Sequence, residues 1–328
     1  MKSEEVPRTI AIIAYEGIEI LDAAGPIEVF DVANREQIEK GPGMPAYRIR
    51  LLAGAAGIVV TSCGVGLMAD AAWDEFDEPI DTIIVVGSCD AYLNPALADR
   101  RLVNWLRKSA PKVRRVASVC TGAFLLAEAG LLDGRKATTH WMDVERLRAS
   151  YPAVEVEPDV IYIRDGSVAT SAGVSSGMDL ALALVEEDLG RSVALDVARR
   201  MVLFLKRPGG QAQFSTSLRL QMAVDSQLGP FLAWLHDNIH LDLTVEDLAE
   251  RAAMSPRNFA RVFVRDTGMS PARYLDQLRF ERALQSLENA RKSLATIASE
   301  SGYASPEQMR RAFQRRMGIT PAAYRERF

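Results

Sequence analysis

The chain has 328 residues, 48% of them hydrophobic, with 39 basic and 43 acidic side chains. That is the balance of a globular protein long enough for two domains. Nothing in it reads as a membrane span of about 18 apolar residues or a secretory leader, and three scattered cysteines (Cys63, Cys89, Cys120) form neither a disulfide framework nor a zinc site, so a cytoplasmic protein without metal or cofactor is expected.

Along the first two thirds of the chain, short β-branched runs alternate with helical stretches. Residues 9–15 (TIAIIAY) read as a buried parallel strand, 46–52 as a second, 81–87 as a third ending in Gly87, and 114–119 as a fourth. Residues 160–163 and 168–170 read as a hairpin turning on Asp165-Gly166. Helices are predicted over 25–34, 95–110, 121–129 and 174–189. Strands alternating with helices specify an open sheet of parallel strands with helices on both faces, spanning residues 8–192.

Beyond residue 192 the strand signal ends. A helical linker over 193–228 contains the Pro/Gly break at Arg207-Pro-Gly-Gly, and 229–328 read as helices separated by short turns. Charge divides the same way. Residues 1–228 hold 24 basic and 31 acidic residues, whereas 229–328 hold 15 and 12, with Arg310, Arg311, Arg315 and Arg316 in one segment. A local basic stripe bears on nucleic-acid binding more directly than the net charge of −4 does.

The second region repeats itself. Shifted by 50 positions, residues 255–274 match 305–324 at nine places, among them Ser255-Pro256 with Ser305-Pro306, Arg261 with Arg311, Phe263 with Phe313, and Tyr274 with Tyr324. Chance gives about one or two. Each copy places a capped helix, a short turn and a second helix that opens with Ser-Pro. In those second helices Phe259, Val262 and Phe263, or Met309, Ala312 and Phe313, form the inward side. The outward side presents Arg257, Asn258 and Arg261 in the first copy and Glu307, Gln308 and Arg311 in the second. Arginine pairs with guanine and Asn or Gln with adenine in the major groove, so double-stranded DNA is the expected partner, read at two places about 34 Å apart.

These features carry a resemblance. From about Leu241 to Phe328 the chain resembles the AraC/XylS DNA-binding domain, with Leu248-Ala249, Gly268-Met-Ser-Pro271, Ile297-Ala298, Gly302-Tyr303 and Gly318-Ile-Thr-Pro321 as its recurring elements. The resemblance implies an all-α domain over 229–328 with two helix-turn-helix units and reading helices near 256–266 and 306–317.

In the first domain, the strand at 114–119 runs into Cys120-Thr121-Gly122 and a helix. A residue at such a strand-to-helix turn projects over the sheet's C-terminal edge beside a helix N-terminus, a place expected to lower a thiol's pKa. Ala137-Thr-Thr-His140-Trp141 follows, and the loop after the first strand supplies acids, including Asp22. This pattern is similar to the PfpI-like branch of the class I glutamine amidotransferase superfamily, which implies a flavodoxin-like α/β sheet. It makes Cys120, Asp22 and His140 the candidate catalytic residues. A small-molecule effector pocket is expected around Asp22, Gly87, Cys120, Thr121, His140, Ser171 and Gly173.

The two domains together resemble the GlxA-like subgroup of AraC regulators. That implies a transcriptional regulator controlled by a small metabolite, acting as a homodimer, with RNA polymerase a further candidate partner and no membrane association. A cysteine-dependent hydratase or amidase with an accessory DNA-binding domain stays open as the alternative, and so does redox sensing through Cys120.

Overall fold

The computed structural model describes residues 6–39, 44–205, 211, 228–241, 243–267, 269–287, 292–317 and 319–327. The chain divides into two compact units, Met1–Arg207 and Pro208–Phe328. Most of the expected linker, including its Pro/Gly break, and the glycines Gly268 and Gly318 of the repeat lie outside the described residues.

The first unit is a seven-stranded sheet. Five strands line up in parallel through its middle: β1 (Arg8–Ile13), β2 (Tyr47–Ala53), β6 (Thr82–Val85), β7 (Arg115–Val119) and β11 (Val168–Ser171). Short β5 (Ala71–Ala72) extends one edge, and β10 (Tyr162–Asp165) pairs antiparallel with β11 at the other, giving the order β10-β11-β7-β6-β1-β2-β5. Strands β6, β7 and β11 are buried at every position because both faces of the sheet are covered. In β1, Ile10 and Ile12 pack with Val29, Phe30, Leu180 and Val197 on one side, and Ala11 and Ile13 with Leu93, Leu102, Leu106 and Phe124 on the other. The expected open α/β sheet is what forms, with the 160–170 hairpin as its antiparallel edge.

Several elements differ from their predicted bounds for local reasons. Helix α1 runs Ile20–Glu39, with Pro26 inside it, so Gly25-Pro26 does not mark its start. The stretch 95–110 is two helices, α2 (Asp90–Ala98) and α3 (Arg100–Ser109), divided where the Asp99 carboxylate accepts from the Arg101 and Leu102 amides. Helices α4 (Gly122–Glu128), α5 (Val144–Ser150), α6 (Ser176–Leu189) and α7 (Arg191–Arg200) follow, and α7 packs Val193 and Val197 into the first unit's core. The ribbon of β3 (Gly57–Val60) and β4 (Gly66–Ala69) was not predicted, since glycines interrupt its alternation.

The second unit is all helical and has two cores. The helix Gly229–Asp237, the scaffold helix Val245–Arg251 and the reading helix Pro256–Thr267 enclose Phe231, Leu248, Phe259 and Phe263. A second scaffold helix (Leu294–Glu300), reading helix (Pro306–Met317) and closing helix (Pro321–Arg327) enclose Ile297, Met309, Phe313 and Tyr324. The connecting helix Pro271–Leu287 serves both, giving Tyr274 and Leu278 to the first core and Phe280 and Leu284 to the second. The predicted capping pair is present: Thr244 accepts from the Asp247 amide, and Asp247 accepts from the Thr244 amide.

The repeat is not uniform. Scaffold helices are offset by 49 residues and reading helices by 50, so the second turn is one residue longer. Both turns need one left-handed residue, which is Ala253 (φ 52°) in the first copy and Gly302 (φ 77°) in the second. Left-handed backbone costs a residue with a Cβ roughly 1–2 kcal/mol, and Ala253 is exposed with no packing to lose. We expect Ala253→Gly to stabilise the second unit by about 1 kcal/mol. Gly302→Ala should destabilise it by more, because its Cβ would fall 2.1 Å from the Ile239 carbonyl oxygen. Chemical denaturation of both variants checks the pair, and an unchanged or lower midpoint for Ala253→Gly would contradict the strain argument.

Candidate effector pocket and DNA-reading helices

Cys120 stands between β7 and α4 with φ 58°, a left-handed conformation on a residue with a side chain. Backbone bonds hold it there. Its amide donates to the Ser171 carbonyl (3.1 Å), and its carbonyl accepts from the Thr139 hydroxyl (2.9 Å) and the Ala123 amide (3.3 Å). Glycines make room for it. A Cβ on Gly173 would lie 2.6 Å from Cys120 Sγ, and one on Gly87 would lie 2.7 Å from the Thr121 amide nitrogen. No side chain other than hydrogen fits either place. Thr121 Oγ1 donates to the Ser88 carbonyl (2.7 Å) and accepts from the Ser88 amide (2.9 Å), which fastens the loop after β6 to the elbow.

Asp22, in the first turn of α1, is fully buried. One carboxylate oxygen accepts from the Gly87 amide (3.1 Å) and the other from the Val174 amide (2.8 Å). Val174 is itself left-handed (φ 48°), directly after Gly173 (φ 98°). The carboxylate therefore joins the loops after β1, β6 and β11 around the cysteine. Burial, with a smaller push from the Glu19 charge, raises its pKa to about 7 against the two amide bonds.

The thiol does not behave as its place beside a helix N-terminus predicts. Burial pushes the Cys120 pKa well up, and the negative charges of Asp22, Asp143 and Glu19 add to this, outweighing the Thr121 amide. Cys120 is thus held as a neutral thiol. His140 is half-buried and is not bonded to Cys120 or Asp22; its Nδ1 accepts from the Met142 amide (3.4 Å). Burial lowers its pKa against the charge of Asp143, so it stays neutral.

The structure accordingly brings Asp22, Gly87, Cys120, Thr121 and Gly173 together and leaves His140 on the rim. Ser171 contributes its carbonyl, while its hydroxyl turns away to the Ser118 carbonyl (3.3 Å). Sequence reasoning missed Tyr15, Ser88, Asp143 and Val174. Tyr15 bonds the Ser88 hydroxyl (3.1 Å) and lies within electrostatic range of Asp22, Cys120 and Cys89. Tyr15 and Ser88 stand just past the C-terminal ends of β1 and β6, the edge where open α/β sheets form their crevice, and that was the available signal.

In the second unit, Arg257, Asn258, Arg261, Glu307, Gln308 and Arg311 are all exposed near the starts of the two reading helices. Ser255 and Ser305 accept from the Asn258 and Gln308 amides (3.4 and 3.2 Å), as the repeated Ser-Pro predicts. The two sets differ in their own contacts. Asn258 Oδ1 accepts from Arg261 (2.9 Å), orienting it outward. Glu307 instead pairs with Arg310 (2.7 Å) and Arg311 (3.2 Å), and these bonds lower its pKa to about 2.

The Asp22 carboxyl has a stability signature. Its folded pKa lies above its ordinary value of 3.8, so between about pH 4 and 7 the folded unit holds a proton that the unfolded chain has released. Stability from this group is complete below pH 4 and is lost as pH rises through 7, by on the order of 4 kcal/mol. We expect the melting temperature of the first unit in wild type, relative to Asp22→Asn, to fall steadily between pH 5 and 8. Parallel curves for the two proteins would contradict this account.

Comparison with known proteins places these features. Residues 8–187 match the DJ-1/PfpI family, and 248–327 match a helix-turn-helix domain. The chain is similar to the HTH-type transcriptional regulator CdhR of Pseudomonas aeruginosa, 29% identical over 93% of this chain and 88% of that one. It is 32% identical to the HTH-type transcriptional regulator Rv1931c of Mycobacterium tuberculosis, over 76% of this chain and 96% of that one. An isonitrile hydratase of Pseudomonas putida is 31% identical over 56% of this chain and 74% of its own. Among solved structures, a ThiJ/PfpI family protein from Pseudomonas syringae shares the fold of the first unit at TM-score 0.54 and 24% identity, over 62% of this chain and 78% of that one. An AraC family transcriptional regulator from Pseudomonas putida does so at 0.52 and 20%, over 60% and 100%. No helix among the described residues is long and apolar enough to cross a membrane. The chain belongs to the AraC-type helix-turn-helix transcriptional regulators in which a DJ-1/PfpI-family domain precedes the DNA-binding domain.

Proposed function

We propose that this DNA-binding regulator senses a small metabolite in the pocket formed by Asp22, Gly87, Cys120, Thr121 and Gly173, with His140 and Ser171 beside it. One observation carries the reading: Cys120 has the elbow of a nucleophile, yet the side-chain charges acting on it are all negative. A site of that kind keeps a thiol neutral and favours an effector that is cationic or rich in hydrogen-bond donors. Binding changes DNA affinity only by its difference between two states of the protein. A homodimer completes the reading, supported by the outer face of the β3–β4 ribbon, where Ile58 and Met68 stand opposite each other and exposed. RNA polymerase is a further candidate partner for a regulator of transcription.

The test is thermal shift of the full chain with matched panels of small quaternary or guanidinium cations and of dicarboxylates. Cations should raise the first unit's transition, through mass action on the folded state, and Asp22→Asn should diminish the response. A shift produced by the anions alone would sink the charge argument, and sedimentation as a monomer would remove the dimer.

On the DNA side, Arg257, Asn258 and Arg261 read one major-groove segment and Glu307, Gln308 and Arg311 the next. Arg261→Ala and Arg311→Ala should each weaken binding to a selected duplex by roughly 1–3 kcal/mol and relax base preference at one position. Undiminished affinity in both would overturn the assignment.

A second reading has its own support. The isonitrile hydratase covers the cysteine-bearing domain, and the strained Cys120 would suit a nucleophile. Turnover of an isonitrile or amide panel by wild type, abolished in Cys120→Ala, would establish it; no turnover leaves the sensor.

A further inference from the structure

The second reading helix carries an arginine with no counterpart in the first. Fifty residues earlier than Arg316 stands Asp266, whose carboxylate, among the described residues, accepts from its neighbour Arg265 (2.6 Å). Arg316 lies three residues past Phe313 and four past Ala312, both buried, so it is on the helix face turned away from the outward set. Its guanidinium donates to the Asp276 carboxylate (2.6 Å) and to the Gln277 carboxamide, and it covers the Phe280 ring at 4.9 Å. All three partners lie on one turn of the connecting helix. Gln277, itself buried, also donates to Glu281 (2.7 Å), so the acceptor side of the clamp is held in place. A further contact sits at the same level: Gly302, in the second turn, abuts the Ile239 carbonyl and Arg279, which donates to the Leu241 carbonyl (3.2 Å).

A planar guanidinium bonded to two acceptors and stacked on an aromatic ring fixes direction as well as distance, which an apolar contact or a lysine does not. Both reading helices are seated by rings, Phe231 against Phe259 (5.4 Å) and Phe263 against Tyr274 (5.1 Å) in the first, Phe280 against Phe313 (4.8 Å) and Phe313 against Tyr324 (6.1 Å) in the second; the guanidinium clamp of Arg316 is what the second adds. We propose that Arg316 is the positioning residue that sets the second reading helix on the connecting helix, and so fixes the spacing at which the two helices meet DNA. The proposal rests on the reading that both helices enter major grooves. Two tethered readers gain affinity over one only while their geometry matches the site, so a loosened second helix loses that gain without touching the first.

The experiment uses the full chain and a duplex enriched from random sequence by wild-type protein, with versions in which either half is scrambled or the spacing is changed by about one base pair. Failure to enrich any duplex would count against the DNA reading itself. Given a duplex, Arg316→Met, which keeps the stem packed on Phe280, should bind the intact site about tenfold or more weakly and stop discriminating spacing. Its affinity for the first half alone should be unchanged. The slope of affinity against salt should stay that of wild type, because Arg316 makes no phosphate contact. The double variant Arg316→Asp with Asp276→Arg should recover spacing discrimination. Unchanged two-half affinity in Arg316→Met would overturn the proposal. A salt slope smaller by about one would do so too, by making Arg316 a phosphate contact, as would an equal loss on the single half, by making its role general stability.

Discussion

The first unit depends on a single buried carboxylate. Three loops leave the C-terminal edge of the sheet after β1, β6 and β11, and the latter two would each otherwise leave a backbone amide, of Gly87 and of Val174, unpaired. Asp22 accepts from two of these loops while standing in the third, and the peptide it holds on one side, Gly173-Val174, is in a conformation that side chains avoid. Cys120 lies between them, also left-handed, with Gly173 against its sulfur. Strain of this kind persists only where its surroundings over-determine it, and here the surroundings are the hydrogen bonds of Asp22, of the Thr139 hydroxyl and of the adjoining backbone.

That arrangement also decides the chemistry. A helix N-terminus and the Thr121 amide favour a thiolate, but burial acts on the thiol itself, and the carboxyls of Asp22, Asp143 and Glu19 all oppose a negative charge beside them. The balance leaves the thiol protonated. A ligand bringing positive charge into this crevice would relieve the acids and, by the same electrostatics, lower the thiol.

What was legible in the sequence follows from what repeats locally. The central strands, the Cys120 elbow and the Ser-Pro caps are specified within ten residues each, and they formed as read. The thiol's protonation was not legible, because it depends first on burial by the packed fold and then on charges distant in sequence, Asp22 foremost, with Asp143 and Glu19 adding less. His140 failed as an elbow partner for a similar reason: its motif is local, but its orientation follows the Met142 amide and the field of Asp143. The exposed β3–β4 ribbon escaped because Gly57, Gly64 and Gly66 erase the period-two pattern that marks a strand.

The second unit shows how a duplicated sequence becomes two unlike tools. One extra residue in the second turn and one exchange of Asp266 for Arg316 leave the two aromatic cores alike while altering how each reading helix is held. The outward faces diverge as well. Asn258 supports Arg261 without neutralising it, whereas Glu307 binds two arginines. Those pairs are exposed and screened by water, so a phosphate or a guanine edge can replace either of them. These pairs hold Arg310 and Arg311 in place. Under the proposed reading, the first helix, with its charge uncompensated, would supply the initial hold, and the second, with Glu307 offsetting its arginines, would add discrimination.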